Sequence, residues 1–175
     1  KTGWRGPLFL QGDHFQIGVK KFAVEPQKEV DAVKTQLASL MKSSLPGDVA
    51  SQAKKLEASL TKVGGEMPAG GMLAFFRRQA PKPGAMRSFL NLNDDYNTLV
   101  SMMQVGLDMA PTPTQIATWE GDCHQYDRTV AAWKAMQKQQ IATFNALLAK
   151  NHLQALNVAP ITLTDPSCSF KAGSK

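Results

Sequence analysis

Three histidines (His14, His124, His152) and two cysteines (Cys123, Cys168) are the residues whose types suit nucleophilic, acid–base or metal chemistry. Their spacing gives that chemistry little support. No HExxH, CxxC, Walker loop or GxSxG occurs. Asp122, Cys123 and His124 are consecutive, but neighbouring residues on a helix point in different directions, so thiol and imidazole do not share a proton easily. His152 ends a helical pattern after Lys150 and Asn151, where a cation suits the C-terminal dipole. Asp94 and Asp95 are expected to face water on a helix. The expectation is a chain without a catalytic, cofactor-binding or metal-ligating grouping.

The cysteines leave two outcomes open. Cys123 lies on an apolar helix seam, which suits a buried free thiol. A disulfide to Cys168 would instead pin the tail along that helix, closing a loop of about 45 residues and adding roughly 4 kcal/mol in the chain-entropy model.

The elements that position these residues read mostly as helices. Ile116, Trp119, Cys123, Tyr126, Val130 and Trp133 follow at spacings of 3, 4, 3, 4 and 3, one apolar face that needs a partner surface. This last helix, about 114–151, is expected to exceed about 50 Å if unbroken. Gly121 is a candidate bend. After Trp133 the seam frays: Gln137 and Gln140 take the next seam positions, with Met136 and Ile141 beside them, before Phe144 and Leu147 restore it. Upstream, Val30, Val33, Leu37 and Leu40 form one stripe, and Val49, Ala53, Leu56, Leu60 and Val63 a second. Leu45-Pro46-Gly47 separates them and Asp48 is a candidate cap, so the pair reads as an antiparallel hairpin. Phe89, Leu92, Tyr96, Leu99 and Met103 form a third stripe over about 88–108. Thr112 is a candidate cap for the last helix, with Pro113 at its first position.

Three regions fall outside this pattern. Over 1–24, Leu8-Phe9-Leu10, the turn residues Gln11-Gly12-Asp13 and the alternation of Phe15, Ile17 and Val19 suggest an extended arm or β-hairpin. Residues 64–85 hold Gly64-Gly65, Pro68, Gly70-Gly71, Pro81 and Pro83, an irregular connection. Within it Met72, Leu73, Phe75 and Phe76 are too apolar for water, and either pack over the bundle or dock on another chain. Residues 157–175 form a tail with Pro160 and Pro166.

Composition sets outer bounds. With 43% apolar and 19% charged residues, the chain can bury a core. The net charge of +6 is spread over scattered pairs (Lys20 with Lys21, Lys54 with Lys55, Arg77 with Arg78), which favours solvated helix faces over a specific nucleic-acid site. No run of about 18 apolar residues is present, so no transmembrane segment is expected. The sequence opens on Lys1 rather than methionine, as a mature product, a proteolytic piece or part of something longer would.

Two stretches resemble known families. The helix with Asn93, Asp94 and Leu99, the run Asp108-Met109-Ala110-Pro111-Thr112, then Trp133 and Asn145-Ala146-Leu147-Leu148 resemble the C-terminal helical region of bacterial sortilin/BNR-repeat proteins, which are glycosyl-hydrolase-like propeller proteins. This likeness covers about residues 35–157. It implies a helical appendage without assigned catalytic residues, and no propeller activity comes with it. Gly6-Pro7-Leu8-Phe9-Leu10-Gln11-Gly12-Asp13-His14-Phe15-Gln16, with Lys20-Lys21-Phe22 and Pro26-Gln27-Lys28-Glu29-Val30, resembles a barrel strand of class II zinc-dependent sugar-phosphate aldolases. That likeness implies acid–base work at Asp13 and zinc binding at His14. The remaining strand ends of that metal site have no counterpart, one imidazole falls short of the usual three ligands, and a (β/α)₈ barrel needs roughly 200 residues. A fragment of that kind is expected to be inactive.

The sequence thus predicts a mainly α protein: an antiparallel bundle of about four helices over 25–156, the last longest, with an N-terminal arm. The expected role is a non-catalytic scaffolding or protein-interaction module without cofactors. It would be an accessory subunit of a larger, membrane-associated assembly outside the cytoplasm, periplasmic or secreted. Other protein chains are the expected partners, and any membrane association is peripheral and through them. The alternative is an inactive or partial aldolase fragment. The expected contact surface comprises Met72, Leu73, Phe75 and Phe76, with Met136, Gln137, Gln140 and Ile141.

Overall fold

The computed structural model describes residues 23–66, 84–105 and 112–158, and side chains throughout these except at 103–105. They form helices α1 (Val24–Met41), α2 (Gly47–Gly64), α3 (Phe89–Val105) and α4 (Pro113–Met136), a π-helical turn (Gln137–Ile141) and α5 (Ala142–Lys150). The fold is mainly helical and bundle-like, with no strand among the described residues. Of the arm expected over 1–24, Ala23 and Val24 instead form the N-cap and first residue of α1, and the rest lies outside those residues, as do the apolar run 72–76 and the tail expected over 157–175 beyond residue 158.

The first hairpin forms as its stripes require. Val30, Val33 and Leu37 of α1 face Val49, Ala53, Leu56, Leu60 and Val63 of α2, all at most 3% exposed. Gly64 packs directly on α1, since a Cβ there would stand 2.7 Å from Cγ1 of Val30. Gly65 follows in left-handed backbone (φ 88°), which other residues rarely adopt, and its carbonyl accepts from Nζ of Lys34. Asp48 is not the cap: α2 starts at Gly47 after Pro46, and Asp48 sits in the first turn, where the dipole favours it.

The second hairpin is held by aromatic edges and a hydroxyl. Phe89 meets Tyr126 edge-on at 6.2 Å between ring centroids, and Tyr96 meets Trp119 at 5.3 Å. Thr129 Oγ1 donates to the carbonyl oxygen of Arg87 at 2.6 Å. Later residues of α3 thus meet earlier residues of α4, so the pair is antiparallel. At the entry to α4 a reciprocal capping box forms: Gln115 N donates to Thr112 Oγ1, and Thr112 N donates to Gln115 Oε1.

Pro113–Lys150 is one helical rod of 38 residues, about 57 Å long. α4 runs unbroken through Gly121, which is exposed with open space around it. The irregularity comes later, in the π turn. Core residues in the rod run Cys123, Tyr126, Val130, Trp133, Met136, then Ile141, Phe144 and Leu148. The step of five from Met136 to Ile141 does not fit an α-helix, and the wider π turn absorbs the extra residue. The frayed seam is therefore a re-registration, after which the same face returns to the core.

Past α5 the chain turns back. His152 takes left-handed backbone (φ 57°), His152 N donates to the Ala149 carbonyl and Leu153 N to the Leu148 carbonyl. These bonds form a Schellman stop with histidine in the place usually held by glycine. The expectation of a cap at His152 is met by its backbone.

Candidate functional site

Three polar features stand out against the apolar core. The first surrounds Glu29, placed by α1 in the interior at 7% exposure. Trp133 Nε1 donates to its Oε2, and Gln137 Nε2 approaches the same oxygen at 3.5 Å. Oε1 has no partner among the described residues. This carboxylate joins α1 to the rod at the entrance to the π turn. Sequence reasoning missed it, because Glu29 and Trp133 are 104 positions apart and Glu29 reads as an ordinary first-turn acid.

The second lies between α3 and α4. Arg87 pairs with Asp95, and both are partly buried. Asp95 therefore does not end in water, and Asp94 is only partly exposed. Half-buried Asp122 stands near both, and its Oδ2 has no partner among the described residues. Burial pushes its carboxyl up from 3.8 to about 6; Asp95 adds to the shift and Arg87 opposes it. Burial also raises the Tyr96 phenol far above its usual value, helped by Asp122, Tyr126, Asp127 and Asp95. Cys123 beside them is fully buried and disulfide-bonded. Its expected partner Cys168 lies outside the described residues. His124 is exposed on the outer side of α4. Among the described residues no three His, Cys, Asp or Glu side chains group as metal ligands.

The third feature is a groove of about 620 Å³ between α2 and the end of the rod. Leu56, Phe144 and Leu147 make its apolar floor. Gln52, Gln139, Gln140 and Thr143 rim it with amide and hydroxyl groups, and Lys55 and Lys150 place charge on it. Among the described residues no acidic one lines it.

The expected contact surface divides on this frame. Gln140 is exposed on the groove rim, and Gln137 is half-buried on Glu29. Met136 and Ile141 are not surface residues: they are 6% and 2% exposed, because the π turn brings both to the core. Met72, Leu73, Phe75 and Phe76 lie outside the described residues, as do Asp13 and His14. Gln52 and Gln139 were not singled out from sequence, and Lys55 and Lys150 were read only as a solvated basic pair and a helix end. Gln139 and Lys150 are polar residues on the rod, whose seam has a step of five, and Gln52 and Lys55 are exposed positions of α2 with no signal of their own.

The residues thus define a helical bundle with a polar-rimmed groove. Compared with known proteins, the chain matches no family model, no curated protein and no solved structure. No described helix is long and apolar enough to cross a membrane.

Proposed function

We propose that the chain is a non-catalytic interaction module that docks another protein through the α2–α5 groove, as an accessory subunit of a larger assembly. The groove carries this reading. It has an apolar floor for side chains, a rim of groups that both donate and accept, and a one-sided charge. The disulfide at Cys123 supports a compartment outside the cytoplasm, where such bonds persist.

Photocrosslinking tests it. A benzophenone side chain at position 140 is expected to capture a discrete partner in cells that make the chain. The same group at exposed position 124, 16 residues back along the rod and so about 24 Å away, is expected to capture none. Equal labelling at both positions would overturn the reading. Stoichiometric zinc with aldol cleavage by the purified chain would also overturn it, in favour of aldolase chemistry at Asp13 and His14.

A further inference from the structure

The two flanks of α5 treat main chain differently. On one flank the returning chain is clasped by side-chain amides. Asn145 Nδ2 donates to the Leu156 carbonyl at 2.9 Å, and its Oδ1 accepts from Leu156 N at 2.8 Å. Gln36 of α1 repeats the arrangement on Asn157, at 2.9 and 2.8 Å. An amide offers one donor edge and one acceptor edge, and here they match the C=O and N–H of a single non-helical residue. At 100° per residue, Asn145 and Leu147 fall on opposite sides of the core line through Phe144 and Leu148. The groove is on the Leu147 side. There Gln52, Gln139 and Gln140 present three more amides, none hydrogen-bonded within the described residues.

We infer that this groove binds an extended acidic peptide segment of a partner protein, its main chain taken by the Gln52, Gln139 and Gln140 amides and its carboxylates by Lys55 and Lys150. The inference rests on the groove being the docking site proposed above, and names what fills it. A helical ligand uses its own N–H and C=O groups internally and would leave the three amides little but side chains to meet. An extended segment exposes both groups at every residue and sends alternate side chains to the floor formed by Leu56, Phe144 and Leu147. From Gln140 to Lys150 the wall rises about 15 Å, which about five extended residues span. With two lysines and no carboxylate among the described residues of the lining, a basic segment is disfavoured and an acidic one attracted.

A seven-residue random library displayed on phage and selected on the full chain tests this. The enriched sequence, made as a fluorescein-labelled peptide, would be titrated by anisotropy. The expected consensus sets Asp or Glu beside Leu, Ile or Phe. Joint Lys55→Glu and Lys150→Glu substitution is expected to weaken it roughly tenfold or more, and joint Gln139→Ala and Gln140→Ala several-fold. Carbon chemical shifts of the bound labelled peptide are expected to be extended. A basic consensus, no enrichment, indifference to charge reversal or helical shifts would each overturn it, as would a second copy of this chain filling the groove in sedimentation. Crosslinking at position 140 that survives any of these peptide failures would leave the docking site standing and sink only this occupant. All four substituted residues are exposed, so circular dichroism is expected to show intact folds.

Discussion

The rod from Pro113 to Lys150 is built in two ways on either side of its π turn. Before the turn, its inward face meets α3 and α1 with aromatic rings, a buried threonine and a charged cluster. After it, the inward face is aliphatic with one ring, Phe144, and the outward polar groups rim a groove. The first half ties Thr129 and Trp133 to partners inside the fold, whereas the second presents Gln139, Gln140 and Thr143 on the groove rim. A helix can serve both as core and as docking surface if one irregular turn divides the tasks. That division is a physical account of why π turns recur near functional sites.

The difference can be broken first by deletion. Removing exposed Arg128 from the regular half would rotate everything beyond it by 100°, turning Val130, Trp133 and Met136 off the core. The expected loss is at least about 4 kcal/mol in urea unfolding, or no folded protein. Removing Gln139 from the π turn should instead leave a regular α-helix with both flanks in register, at a cost within about 2 kcal/mol. Equal losses from the two deletions would refute the re-registration.

Trp133→Ala comes next, at about 4 kcal/mol, because it empties a fully buried site and strips Glu29 of its close donor. Trp133→Phe should lose about half as much. A loss below about 1 kcal/mol for the alanine variant would mean the joint between α1 and the rod is not a pillar of the fold.

Acidity should separate the halves more gently. The Asp122 carboxyl is raised in the folded chain from 3.8 to about 6, so between those values the folded state binds more protons than the unfolded one. Stability from this group is therefore full below about pH 4 and declines as pH rises to about 6. Asp122→Asn should remove that slope and gain about 1 kcal/mol at pH 8, a figure reduced for partial exposure. An unchanged slope in thermal melts from pH 4 to pH 8 would contradict the assignment. The smallest effect belongs to the groove: Gln139→Ala with Gln140→Ala should shift stability by less than about 0.5 kcal/mol while weakening ligand binding.

Much of the helical frame could be read from the chain. Stripes at spacings of three and four specify which faces pack, and Thr112 with Pro113 specifies where the rod begins. Gly64 read as a break because glycine is ambiguous: here it closes α2 and admits Val30. The π turn was hidden because Gln137 and Gln140, fitted to an α period, look like seam residues turning polar. A step of five between apolar runs of proper spacing was the available clue. Glu29, Asp95 and Asp122 were misjudged or passed over because their surroundings come from other helices, and local sequence carries no word of them. The groove was legible only as a place, the stretch after Trp133, and in one residue, Gln140.

The clasps at the end of the described chain have a further consequence. Gln36 holds Asn157 across 121 positions, and Asn145 holds Leu156 beside the fully buried Leu148. During synthesis the groups that latch α1 are made 121 positions after Gln36. The nascent molecule therefore waits with Gln36 unlatched until residue 157 arrives. A chain interrupted shortly before Leu156 should betray itself as unfinished, and quality-control proteases would have an unlatched first helix to grip.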